Sequence, residues 1–128
     1  MNDARSHGMA PTGTTLTTSA SVEAAGFRSE MESGMARMMR DMHAAAFSGN
    51  PDVDFLAMMI PHHAGAVEMA RIVLRFGRDP ATRMLAEDII ASQTIEIESM
   101  TRRLTMLRRS GPAGGAAEFP ALGGTRGP

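Results

Sequence analysis

Between Phe55 and Leu74 the apolar positions fall on two adjacent helical stripes. Leu56, Met59, His63, Val67, Ala70 and Leu74 form one, and Phe55, Met58, His62, Ala66, Met69 and Val73 form the other. Both advance in steps of three and four, the period of an α-helix. Together they cover more than half the circumference, so this segment is expected to be the central, most buried helix of a bundle. Gly77 ends it. Pro61 removes one backbone hydrogen bond immediately before the paired His62 and His63, which predicts a kink and a freed carbonyl at that level.

Two more helices are expected around it. Met31, Met35, Met38 and Met42 are spaced four, three and four apart, with Glu30, Ser33, Arg37 and Arg40 on the other side, so an amphipathic helix runs from Arg28 to Phe47. Ser48 to Pro51 break the chain, and Asp52 or Asp54 are candidate caps for the central helix. Asp79 followed by Pro80 opens a third helix, and Gly111 with Pro112 closes it. Its inner face reads Ala86, Ile90, Gln93, Ile97, Met100, Leu104 and Leu107, interrupted by one polar residue, Gln93. Residues 1–27 are rich in Thr, Ser and Gly without a hydrophobic period and read as a disordered arm. Residues 111–128 read as a flexible Gly/Pro-rich tail, leaving 28–110 as the folded domain. The fold class is all-α, a small antiparallel bundle of three helices whose limited core is expected to be completed by self-association.

Composition narrows the chemistry. Thirteen of 128 residues are Met, and there is no Cys, Trp or Tyr. A disulfide, a thiolate metal site and a cysteine nucleophile are excluded, and a formal charge of -1 gives no field to recruit nucleic acid or an anionic membrane. No stretch approaches the roughly 20 apolar residues of a membrane span. No Glu precedes a His by three as in di-iron bundles, and zinc-peptidase motifs, phosphate-binding Gly loops and a Ser/His/Asp set are all missing, so an enzyme is not expected.

What remains is His, Met and a few polar residues. Met39 and His43 are four apart, as are Met58 and His62, and Met59 and His63, so each pair shares a helix face. Met69 lies two turns beyond His62, and the small Gly65 and Ala66 leave space beside the two imidazoles. On the third helix Gln93, Glu96 and Met100 face inward. Gln93 is expected to hydrogen-bond a His ring or the carbonyl freed by Pro61, and Glu96 either to face solvent or to orient a His. Neutral thioethers select Cu(I) over harder divalent ions, and imidazole binds copper in either oxidation state. The competing reading is that Met fills irregular gaps in a structural or protein-interaction bundle that holds no metal.

The segment Asp-Phe-Leu-Ala-Met-Met-Ile-Pro-His-His-Ala-Gly-Ala-Val-Glu-Met-Ala from Asp54, with Leu-Ala-Glu-Asp-Ile-Ile-Ala-Ser-Gln-Thr-Ile-Glu-Ile-Glu-Ser-Met ending at Met100, resembles the DUF305 family. The resemblance runs from about Met38 to Leu107 and includes the upstream Met39, Met42 and His43. It implies a ferritin-like helical bundle, export from the cytoplasm and an association with copper. The ligands it implies are Met39, His43, Met59, His62, His63, Met69 and Met100, with Gln93 and Glu96 as the polar pair of the last helix. Ala64, often Gln in relatives, and Thr101-Arg102-Arg103-Leu104, where relatives often carry Trp before the Leu, depart from the pattern. The expectation is an exported protein that buffers Cu(I), and Cu(II) through its imidazoles, or passes copper to a transfer partner, with its export signal or anchor outside the given chain.

Overall fold

A computed structural model describes Gly8 and residues 12–114, with side chains placed over 18–111. Three helices follow one another, α1 (Thr12–Ala44), α2 (Pro51–Phe76) and α3 (Pro80–Gly114), with no strand among the described residues. The expected all-α bundle of three helices is the fold.

The first helix begins well before Arg28, within the segment read as a disordered arm. The physical reason lies some fifty residues away. Phe27 meets the Phe76 ring edge-on with centroids 5.9 Å apart, and Arg78 donates to Glu23 at 2.9 Å, so the early turns of α1 dock on the C-terminal end of α2. Nothing in the local Thr/Ser composition announces that partner. The proposed tail from residue 115 onward lies outside the described residues.

Helix α2 is capped by Asn50, whose side-chain oxygen accepts from the N–H groups of Asp52 and Val53. Neither Asp52 nor Asp54 takes the capping position. Asp54 is instead buried and accepts from the Ser48 N–H and hydroxyl and the Gly49 N–H, tying the α1–α2 connection to the first turn of α2. The helix then continues through Pro61 to Phe76 as one element. At the start of α3, Asp79 accepts from the Thr82 N–H at 2.8 Å and the Thr82 hydroxyl at 2.7 Å, as its position before Pro80 suggested. Gly111 has φ +62°, a left-handed value that breaks the helical geometry at the expected stop.

Helix α2 packs against both neighbours, while no Cα of α1 comes within 8 Å of one of α3 among the described residues. Gly65 faces Met38 of α1, and His63, two residues earlier and therefore about 200° around the axis, faces Glu96 of α3. The helices thus lie side by side with α2 in the middle, each antiparallel to the next. One side of this layer is charged: Arg37 pairs with Glu68, and Arg75 with Glu30 at 2.6 Å. The core is thin. Val67, Ala70, Ile72, Ala86 and Leu104 are its buried apolar side chains.

Candidate metal site

The two histidines stand side by side on α2, ring centroids 6.0 Å apart and tilted 58° to each other, and serve different neighbours. His63 turns to α3, where its Nε2 lies 2.5 Å from Glu96 Oε2 with only 13% of its side chain exposed. A carboxylate can only accept, so Nε2 carries the hydrogen and the Nδ1 of the neutral ring is a lone pair. That Nδ1 is buried and has no hydrogen-bond partner. Glu96 therefore orients the ring, one of the two roles its position allowed.

Gln93, one turn before Glu96 on α3, also has its Oε1 buried without a partner and makes no side-chain hydrogen bond among the described residues, so neither the expected bond to a His ring nor one to a carbonyl near Pro61 is made. Two acceptor atoms, one on each side of the same helix pair, thus lack donors. Buried polar atoms are rarely left this way, and a cation or a water is the kind of group that satisfies them. Met59 lies one turn before His63, and Met100 one turn after Glu96. In an antiparallel pair registered by the His63–Glu96 bond these two positions come level, and both side chains are half-buried. One imidazole and two thioethers thus lie along one stretch of the α2–α3 interface, with the Gln93 amide oxygen about a turn to the other side of His63. Soft neutral donors of this kind suit Cu(I). A carboxylate on the far side of the imidazole is the arrangement that fixes a metal-binding histidine.

The other candidates distribute differently. His62 is exposed on the opposite flank of α2 from Glu68 and Arg71, and Met69, two turns on, is half-buried. Met39 is 47% exposed on α1. His43 is exposed in the last turn of α1 and has no hydrogen bond, ion pair or ring contact. The space beside Gly65 is filled from within: a Cβ added there would stand 2.7 Å from Met38 Cγ and 3.0 Å from its Cβ. Met38 is thus the anchor of the α1–α2 interface. The sequence marks the small residue at Gly65 but does not mark Met38 as what fills the space. Among the described residues no three His, Asp or Glu side chains gather around one point, so a hard, carboxylate-rich divalent site is not present there.

An open cleft of about 560 Å³ between the early turns of α1 and the end of α2 is lined by Phe27, Val73 and Phe76 and contains no His or Met. No helix is long and apolar enough to cross a membrane among the described residues.

Fold and interface together define a small all-α protein with methionine and histidine at its helix contacts. The chain belongs to the family described as Domain of unknown function (DUF305), whose model matches residues 5–104. An uncharacterized protein of Acanthamoeba polyphaga mimivirus is 43% identical over 49 residues, which is 38% of this chain and 32% of that protein. The chain thus spans about a third of the length of that relative.

Proposed function

We propose that this chain is a copper-binding protein of an extracytoplasmic compartment that buffers or sequesters Cu(I) between its helices and holds Cu(II) through imidazole. The observation that carries this reading is the buried, partnerless Nδ1 of His63, its ring fixed by Glu96 beside the level of Met59 and Met100. Gln93 Oε1 supplies a further acceptor. The absence of Cys supports the compartment, because thioethers escape the disulfide pairing that consumes thiols in oxidising surroundings. In this reading the role is to hold the ion and yield it to a copper-transfer partner, without turnover. Met39, His43, His62 and Met69, on and around the α1 side, belong to a second, more exposed set that exchanges ions with solvent or partner.

Copper K-edge absorption on the chain loaded anaerobically with one equivalent of Cu(I) tests the proposal. A mixed shell of nitrogen and sulfur is expected, with its sulfur component reduced in Met59→Leu/Met100→Leu. Copper lost on desalting, or a shell of light atoms that the double substitution leaves unchanged, contradicts it. The seating of Met38 on Gly65 favours a second reading, in which the methionines only pack and mediate protein contacts; there, copper leaves stability and association unaltered.

A further inference from the structure

One broad face of the layer is largely apolar and has nothing over it among the described residues. On α2, Glu68, Arg71 and Arg75 follow steps of three and four along one stripe, while Phe55, His62, Ala66 and Val73 follow steps of seven, four and seven along a stripe about half a turn away. On α1, Arg37 and Glu30 lie on the charged side with their partners, and Met35 and Met39 lie about half a turn from them. On α3, Thr94 lines an open cleft together with Glu68 and Arg71, whereas Leu85, Ile89 and Glu96, in steps of four and seven, take the other flank. Met35, Met39, Phe55, His62, Leu85 and Ile89 therefore share one side of the layer. Met35 is 42% exposed, Phe55 57% and Leu85 62%. Glu96, within the α3 stripe, is engaged by His63, and Arg28, at the far end of the α1 stripe, by Glu32. Both long stripes of α2 have a core pattern, yet Phe55 and His62 are exposed among the described residues.

We propose that a second copy of this chain docks on this face, so that the folded unit is a two-layered dimer with the charged sides outward. A second copy is favoured because a single layer of helices whose outer members do not touch cannot enclose a core, and two layers are the smallest arrangement that does. Along α2 the face carries no charge, at Phe55, His62, Ala66 and Val73, which suits a self-complementary contact about a two-fold axis at its centre, while Asp52 and Arg103 lie towards one end beside Phe55. Three helices side by side offer an area on the order of 800 Å² per copy, the size a stable dimer needs. This inference goes beyond the copper reading and needs no metal; it places Met39 and His62 of the more exposed set between the copies, so that they exchange ions only when the dimer opens.

The chain has no native Cys, so single thiols can report coverage. Leu85, at 62% exposure, lies on the proposed interface, and Ile95, at 65%, lies on the outer edge of α3, about 80° around the helix and away from α2. Metal-free full-length protein is measured by light scattering, and thiol alkylation rates are compared for Leu85→Cys and Ile95→Cys, with helicity of both checked by circular dichroism. The expected result is a mass twice 13.6 kDa, and labelling at least about tenfold slower at Leu85→Cys than at Ile95→Cys, the difference closing on dilution. A wild-type mass of one chain at tens of micromolar overturns the proposal, and so does a dimer in which both thiols label at equal rates. Copper binding by a monomer leaves the functional reading intact and rejects only this one.

Discussion

Gly65 is where the smallest side chain has the largest consequence. It lets Met38 lie against the α2 backbone, and a methyl group placed there meets Met38 along its length, Cβ included, so rotating the tip of the side chain does not clear it. Helix propensity favours Ala over Gly by about 1 kcal/mol, while overpacking a fitted interface costs about 1–3 kcal/mol. Gly65→Ala is therefore expected to lose about 1 kcal/mol in urea unfolding, and part of that loss should vanish when Met38→Ala is combined with it, a coupling above about 0.5 kcal/mol. A stabilised Gly65→Ala would show that Met38 is not seated there. The sequence revealed the space beside the histidines but not its occupant, because the period of α1 makes Met35 and Met38 equally good inward residues. The close approach at Gly65 selects Met38 and leaves Met35 outside. His63 is the converse case: its stripe and the inward position of Glu96 were both legible, and their bond follows from the antiparallel register.

At the scale of elements, two aspartates hold helix starts. Hydrogen bonds from the Ser48 hydroxyl, then from the Ser48 and Gly49 N–H groups, hold the Asp54 carboxyl below its ordinary value against the opposing effect of burial. The Thr82 hydroxyl and N–H do the same for Asp79. A carboxyl with a lowered folded pKa contributes stability that is complete above its unfolded value, near 3.9, and is lost as pH falls through the folded value. The thermal midpoint should accordingly decline below about pH 4, and Asp54→Asn should flatten part of that decline while lowering the midpoint at pH 7. A decline unchanged in Asp54→Asn and Asp79→Asn alike would contradict this assignment. Helix α3 was the most legible element: Ala86, Ile90, Gln93, Ile97, Met100, Leu104 and Leu107 are all buried or half-buried, and its Asp79 start and Gly111 stop stand as read. Helix α1 was legible only from its Met run onward. Its first turns hold no hydrophobic period, and their docking depends on Phe76, a residue no local window includes. The cap of α2 fell to Asn50 because Asp54 is occupied in fastening the preceding turn.

At the scale of the molecule, the layer of three helices separates three tasks. Ion pairs along one side hold α1 to α2; exposed pairs of this kind add little energy but fix the side on which the charges lie. The α2–α3 interface carries the paired imidazole and the unsatisfied acceptors, and the remaining face is left apolar. The bundle was foreseeable from period and spacing, as was the divergence of His62 and His63 by about 100°, whereas which neighbour each one faces required the register of both helix pairs. The central proposal is that the imidazoles and thioethers hold copper, and an anaerobic Cu(I) titration of the metal-free chain against a coloured chelator reads it most directly. Wild type should compete stoichiometrically, and a His62→Ala/His63→Ala variant that retains its helical circular dichroism should bind at least tenfold more weakly, about 1.4 kcal/mol. A wild-type chain that takes no copper from even a weak chelator, or a folded double variant that binds as tightly as wild type, would contradict it.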